Sequence, residues 1–214
     1  MAGKLHHEEI FRGRDAVARL GEARVCLLGA GAVGSHLADA LVRQGLRRLR
    51  VVDFDRVEEH NVSTQLYGED DVGVSKVEAL RNRLFRATGE EIDAVAKRLE
   101  AKNVRKLLDG HDLVVDAFDN HASRALVKEH CAAHQIQCLH VGLAARYGEV
   151  RWNERYRVPR DAAGPDVCDY PMARNLVLLV SALAAETIVR FVLEGEKTSR
   201  SLSLEDLRID VEES

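Results

Sequence analysis

Gly29, Gly31 and Gly34, in the stretch "GAGAVGS", raise the first chemical question. They have the spacing GxGxxG, with an apolar strand-like run before them and a helix-like run after. Without Cβ atoms such a turn lets the main chain approach a phosphate. The negative charge then rests on free N–H groups at the positive end of the helix. Asp53 ends the next apolar run, about 20 positions on, where a carboxylate can accept the hydroxyls of an adenosine ribose. The glycine loop and Asp53 together suit NAD and ATP equally, so they name adenosine and go no further.

The segment after Asp53 carries more chemistry. "DFDRVEEHNVSTQLYGEDDVGVSKVEAL" supplies Asp55, Asn61 and Gln65, and then Lys76 at the start of a helical pattern. A hydride-transfer site has no need of a lysine there. A triphosphate does, because an ammonium near the β- and γ-oxygens stabilises a departing pyrophosphate. A second cluster, "DAFDNHASR", places Asp116, Asp119 and Asn120 after another apolar run. Asp119 can hold Mg²⁺ through one carboxylate, leaving the other coordination sites to phosphate oxygens and water. Asp119 or Asn120 can equally cap the following helix.

These residues need a frame that brings separate loops together. Short Val-, Leu- and Ile-rich runs alternate with stretches of helical period, which predicts an α/β fold. The expected class is a Rossmann-like, doubly wound, mainly parallel sheet with an antiparallel C-terminal edge. Strands are predicted at 23–29, 48–54, 91–99, 112–118 and 137–143, with helices at 33–45, stopped by Gly45, and at 75–87, 101–109 and 121–134. "GEVRWNERYRV" alternates as an antiparallel edge strand would, and the end of the chain reads as a last strand and a frayed acidic tail. Residues 1–214 are expected to form one domain, with a helical lead-in over 1–22 that could contact a dimer partner, and a long crossover-type loop over 158–171.

Composition narrows the partners. Charged residues of both signs make up 31% of the chain and the formal net charge is -4, so nothing global draws it to nucleic acid. The apolar run "LVLLVSALAA" meets Glu186 and Arg190 before it reaches the roughly 20 residues a bilayer needs, and is expected to be a buried core helix. Cys26, Cys131, Cys138 and Cys168 form no CxxC pair and no zinc spacing, which fits a reducing cytoplasm.

Taken in order, "GAGAVGS", "VVDFDRVEEHNVSTQ", "VGVSKVEALRNRL", "VVDAFDNHASR" and "LVLLVSALAAETIVRFV" make the chain resemble the ThiF/MoeB/HesA-type adenylyltransferases of the ubiquitin-activating enzyme superfamily. The resemblance covers about residues 10 to 205. It implies ATP over the glycine loop, the ribose on Asp53, the phosphates near Asn61 and Lys76, and Mg²⁺ on Asp119, with Asp55 and Gln65 among the nucleotide-binding residues. It implies as substrate the C-terminal carboxylate, usually Gly-Gly, of a ubiquitin-like modifier, sulfur-carrier protein or peptide, which becomes an acyl adenylate as pyrophosphate leaves. It further implies a homodimer.

The chain departs from the family in specific places. Thr64 stands where the family loop has a phosphate-binding arginine. Arg12 and Arg14 lie in the region from which family dimers lend an arginine to the neighbouring site. Cys168 lies near the position of a family cysteine that can bond covalently to the activated partner, although Asp166 and Asp169 beside it oppose a lowered thiol pKa. The family's zinc CxxC pairs are absent, leaving a minimal adenylation module. Two other readings are an NAD-dependent oxidoreductase, which leaves Lys76 idle, and an ATP-binding scaffold or inactive partner subunit, motivated by Thr64.

Overall fold

The computed structural model describes residues 3–160 and 171–212. Two short helices, α1 (His6–Arg12) and α2 (Arg14–Glu22), lead into β1 (Arg24–Leu28), α3 (Ala32–Arg43), β2 (Arg48–Val52), α4 (Lys76–Thr88) and β3 (Asp93–Val95). The second half runs α5 (Val104–Leu108), β4 (Leu113–Asp116), α6 (His121–Ala133), β5 (Cys138–Ala144), β6 (Tyr147–Trp152), α7 (Arg174–Glu194), β7 (Ser199–Ser203) and β8 (Ile209–Glu212). The described strands form one sheet in the order β3-β2-β1-β4-β5-β6-β7-β8. The first five in that order pair in parallel and the rest antiparallel. This is the expected Rossmann-like, mainly parallel sheet with an antiparallel C-terminal side.

Period-two alternation divides the core between the two faces of the sheet. In β1, Val25 and Leu27 join Leu37, Leu41, Leu80 and Ile188 on one face. Cys26 and Leu28 join Leu107, Leu108, Val127 and Cys131 on the other. Both faces are covered, so the central strands read as unbroken apolar runs. The thiols of Cys26, Cys131 and Cys138 are free and buried, and burial pushes the Cys26 pKa up to about 12.

By length and composition α7 could cross a membrane, yet it lies against the sheet and α3. Ser181 Oγ donates to the Val33 carbonyl at 3.3 Å. A Cβ on Gly148 of β6 would stand 2.1 Å from Val180 Cγ2, so α7 sits as close to β6 as a glycine allows.

Four boundaries differ from those the sequence suggests. The third strand shrinks to Asp93–Val95, because β2 offers partners only as far as Val52. β6 is an interior strand, flanked by β5 and β7. The acidic tail is no frayed end over Ile209–Glu212: it pairs with β7 as β8, and Glu212 forms an ion pair with Arg151. Gln44, still right-handed, is the cap of α3; Gly45, at φ 110°, is the residue beyond it, and the Leu46 N–H closes the end on the Leu41 carbonyl at 3.0 Å.

β1 lies between β2 and β4, whose chains leave in opposite directions along the sheet. Ligands of such sheets bind beyond the strand ends at this reversal. The glycine loop, Asp53 and the Ala117–Asn120 turn all emerge there.

Candidate active site

The three glycines are needed for different reasons. Gly29 has φ 95° and a Cβ on it would lie 2.9 Å from the Ala117 carbonyl oxygen, so the glycine loop touches the turn that carries Asp119. A Cβ on Gly34 would lie 1.9 Å from the Gly29 carbonyl oxygen, which makes the start of α3 a close-packed joint. At Gly31 a Cβ would meet nothing within 4 Å. Gly31 therefore has the open backbone edge, at the N-terminus of a helix that no side chain caps. Uncapped N–H groups beside open space suit a phosphate.

Asp53 is buried and braces this loop. Its Oδ2 accepts the Ala30 N–H at 2.7 Å and its Oδ1 the Asp55 N–H at 2.8 Å. Burial raises its pKa, against those two hydrogen bonds, which lower it. Each carboxylate oxygen retains a second acceptor position, the capacity a ribose diol requires. Tyr67 steadies the same loop from the other side: its buried hydroxyl donates to the Ala30 carbonyl at 2.6 Å.

The polar segment after Asp53 is bound to the first turns of α3. Ser35 Oγ accepts the Leu66 N–H at 3.1 Å, and His36 Nε2 lies 3.1 Å from the Thr64 carbonyl oxygen. Asn61 is buried and turns the chain: its Oδ1 accepts the Glu58 N–H at 2.9 Å, and its carbonyl accepts the Gln65 N–H at 2.8 Å. Gln65 Oε1 and Ser75 Oγ are buried with no hydrogen-bond partner among the described residues. Buried polar atoms left unpaired in a native fold ask for a missing partner.

Lys76 opens α4. Its N–H donates to the Asp55 carbonyl at 2.9 Å and its Nζ lies 3.3 Å from Asp55 Oδ2, with the side chain only 10% exposed. A cation at the first residue of a helix opposes the helix dipole. Asp55 offsets part of that charge, and an anion above the ammonium would offset the rest.

Across the switch point, Asn120 is the helix cap, its Oδ1 accepting the Ser123 N–H at 2.9 Å. That leaves Asp119 exposed, with Asn120 Nδ2 at 3.4 Å. The two candidate roles thus fall on different residues. A lone accessible carboxylate fits Mg²⁺, a cation that takes one or two protein carboxylates plus phosphate and water. The described residues hold no cluster of three or more metal-ligating side chains. Asp116, by contrast, is sealed in the sheet: Oδ1 accepts the Phe118 N–H at 3.1 Å and Oδ2 lies 2.8 Å from His140 Nδ1. His140 Nε2 in turn lies 2.8 Å from Asn153 Oδ1. This buried chain holds the shape of the turn that presents Asp119.

Arg12 and Arg14 part company. Within its own chain Arg12 is engaged by Glu186 at 2.7 Å and Glu8 at 2.8 Å. Glu186 lies roughly 18 Å along α7 from the end that reaches the polar loop, at about 1.5 Å per residue. Arg14 stands out in solvent, 87% exposed, with Glu9 at 3.9 Å. Cys168 and most of the 158–171 loop lie outside the described residues.

Several participants had no legible signal. Tyr67, Ser35, His36 and His140 act through tertiary contacts. So does Arg174, the first residue of α7, whose Nη1 donates to the Ser63 carbonyl at 3.2 Å.

The ThiF family model matches residues 5–207. The sulfur carrier protein ThiS adenylyltransferase of Bacillus subtilis is 33% identical over 155 residues, covering 69% of this chain and 46% of the relative. The tRNA threonylcarbamoyladenosine dehydratase 2 of Saccharomyces cerevisiae is 33% identical over 149 residues, 67% of this chain and 33% of the relative. The chain therefore spans half or less of the length of these curated relatives. A solved structure of E. coli MccB with ATP shares the fold, with a TM-score of 0.77, 17% identity, and coverage of 92% of this chain and 65% of that one.

Proposed function

The chain belongs to the ThiF family, and from that premise we propose that it adenylates the C-terminal carboxylate of a ubiquitin-like modifier, sulfur-carrier protein or peptide, using ATP and Mg²⁺. The observation that carries this reading is Lys76, a nearly buried ammonium at the positive end of α4 beside the Asp53–Asp55 turn. A dinucleotide site for hydride transfer gives that charge no task, whereas a triphosphate does.

The chemistry follows from where the groups stand. A carboxylate oxygen of the partner attacks the α-phosphorus, the bond to the bridging oxygen of pyrophosphate breaks, and pyrophosphate carries away the electron pair. The nucleophile is already ionised, so the site needs orientation and charge neutralisation more than a general base. Asp53 would orient the ribose, the open edge of Gly31 would admit the phosphates, and Lys76 would balance charge on the leaving group. Asp119 would hold Mg²⁺, which when bound neutralises the phosphate oxygens. The proposed homodimer has support in α1, where Ile10 and Phe11 are exposed at 69% and 79%. In it, Arg14 is better placed than Arg12 to reach a neighbouring site.

ATP–pyrophosphate exchange tests the proposal, using Gly-Gly-ended small proteins as acyl substrates. Wild type should exchange, and Asp119→Ala should lose about 10²- to 10³-fold with little change in thermal stability. Exchange supported by no carboxyl partner, despite ATP binding, would point instead to a nucleotide-binding scaffold. The likeness to the yeast dehydratase makes a carboxylate on a modified nucleoside the natural further member of the panel.

A further inference from the structure

We infer that Arg174 is a second phosphate-binding cation of this site, supplied by the same chain, and that it contacts the triphosphate end of the nucleotide. The inference rests on the adenylation reading and adds to it the group that Thr64 does not provide.

The Asn61–Gln65 loop has no positive side chain of its own. The ring of His36 touches its Thr64 carbonyl, but burial, ahead of the positive field of Arg174, lowers the His36 pKa, while the hydrogen bond to Thr64 raises it. A neutral imidazole adds no charge. Lys76 is partly compensated by Asp55. A bound triphosphate would therefore be under-neutralised unless another cation reached the loop.

Arg174 reaches it. Its Nη1 holds the Ser63 carbonyl at 3.2 Å, a contact between residues 111 positions apart. Among the described residues no carboxylate pairs with it, in contrast to Arg12, which has two. One carbonyl uses one of the five N–H donors of a guanidinium, and the rest form a fork that matches a phosphate.

One further observation points to the same segment. Arg174 is the first residue of α7, as Lys76 is the first of α4. A basic residue there works against the helix dipole, and both of these helices direct their basic first residue to the 55–65 segment. An anion that reached both side chains would be favoured by them and by the two helix ends.

The test is direct titration of the full chain with ATP, ADP and AMP in the presence of Mg²⁺, comparing wild type, Arg174→Ala and Arg174→Lys. Arg174→Ala should raise the Kd for ATP roughly ten-fold and leave that for AMP within about two-fold, with an unchanged melting temperature. Arg174→Lys should recover part of the ATP affinity, as a point charge without the fork. Equal weakening for all three nucleotides would mean that Arg174 only pins the loop, and would overturn the inference. Unchanged ATP affinity with a raised KM for the carboxyl partner would overturn it too, assigning the arginine to the acyl substrate. A wild-type protein that binds no ATP would instead defeat the adenylation reading, and this inference with it.

Discussion

The two ends of the proposed nucleotide site are built on opposite principles. At the proposed adenosine end, Asp53, Gly29 and Gly34 are buried and already engaged: both oxygens of Asp53 accept main-chain N–H groups, and the two glycines sit where a Cβ would strike backbone. At the proposed phosphate end, Lys76 has one carboxylate, Asp119 a long contact with its neighbour, and Arg174 a single carbonyl among the described residues. The first set shapes the loop, with one acceptor position left on each Asp53 oxygen for the ribose. The second set keeps hydrogen-bonding capacity for a ligand. A polar residue near a site is thus better judged by what remains unpaired on it than by its type.

Substitutions that treat the two ends alike would break this contrast. The largest effect is expected for Gly34→Ala, whose Cβ would stand 1.9 Å from a carbonyl oxygen. It should cost about 3 kcal/mol of stability, measured by urea unfolding; a variant as stable as wild type would show that the joint is soft. Asp53→Asn should cost about 1–3 kcal/mol, because an amide offers an N–H to a main-chain N–H where the carboxylate accepted both. If only nucleotide affinity fell, Asp53 would belong with the phosphate-end groups.

Gly31→Ala sharpens the comparison from the opposite side. A Cβ there meets nothing within 4 Å. Stability should stay within about 0.5 kcal/mol, while ATP affinity falls roughly ten-fold, about 1.4 kcal/mol, as the methyl group occupies the approach to the N–H groups. A stability loss with unchanged binding would reverse the assignment.

The smallest effect concerns pH. Burial lowers the folded His36 pKa below its ordinary 6.5, so below neutrality the unfolded chain binds the additional proton. The stability this group contributes is complete above about 6.5 and is lost as pH falls toward the folded value. His36→Gln should therefore flatten the decline in unfolding free energy between pH 7 and 5. An unaltered slope would remove His36 from the account.

Much of the frame was readable because its signals are local. Gly29, Gly31 and Gly34 between an apolar run and a helical one, and Asp53 at the end of the next strand, follow from spacing alone. The helix starting near Lys76 follows from its apolar stripe. Other readings depended on neighbours. β6 alternates like an exposed edge, but β7 pairs along it and the acidic tail pairs in turn with β7. Arg12 reads as an available cation until Glu186, far along the chain, is seen to hold it. Asp119 and Asn120 were interchangeable as caps until the Ser123 N–H selected Asn120.

The sequence by itself determined the α/β class, the order of the phosphate loop and the acidic strand ends, and the family motifs, because backbone freedom, side-chain period and charge are properties of short stretches. Only the tertiary structure decided which polar groups are already satisfied. Hydrogen-bond partners such as Arg174 and Ser63, or Asp116 and His140, are distant in the chain and meet only when the sheet and α7 are assembled. That pairing separates the residues that hold the fold from those left free to do chemistry.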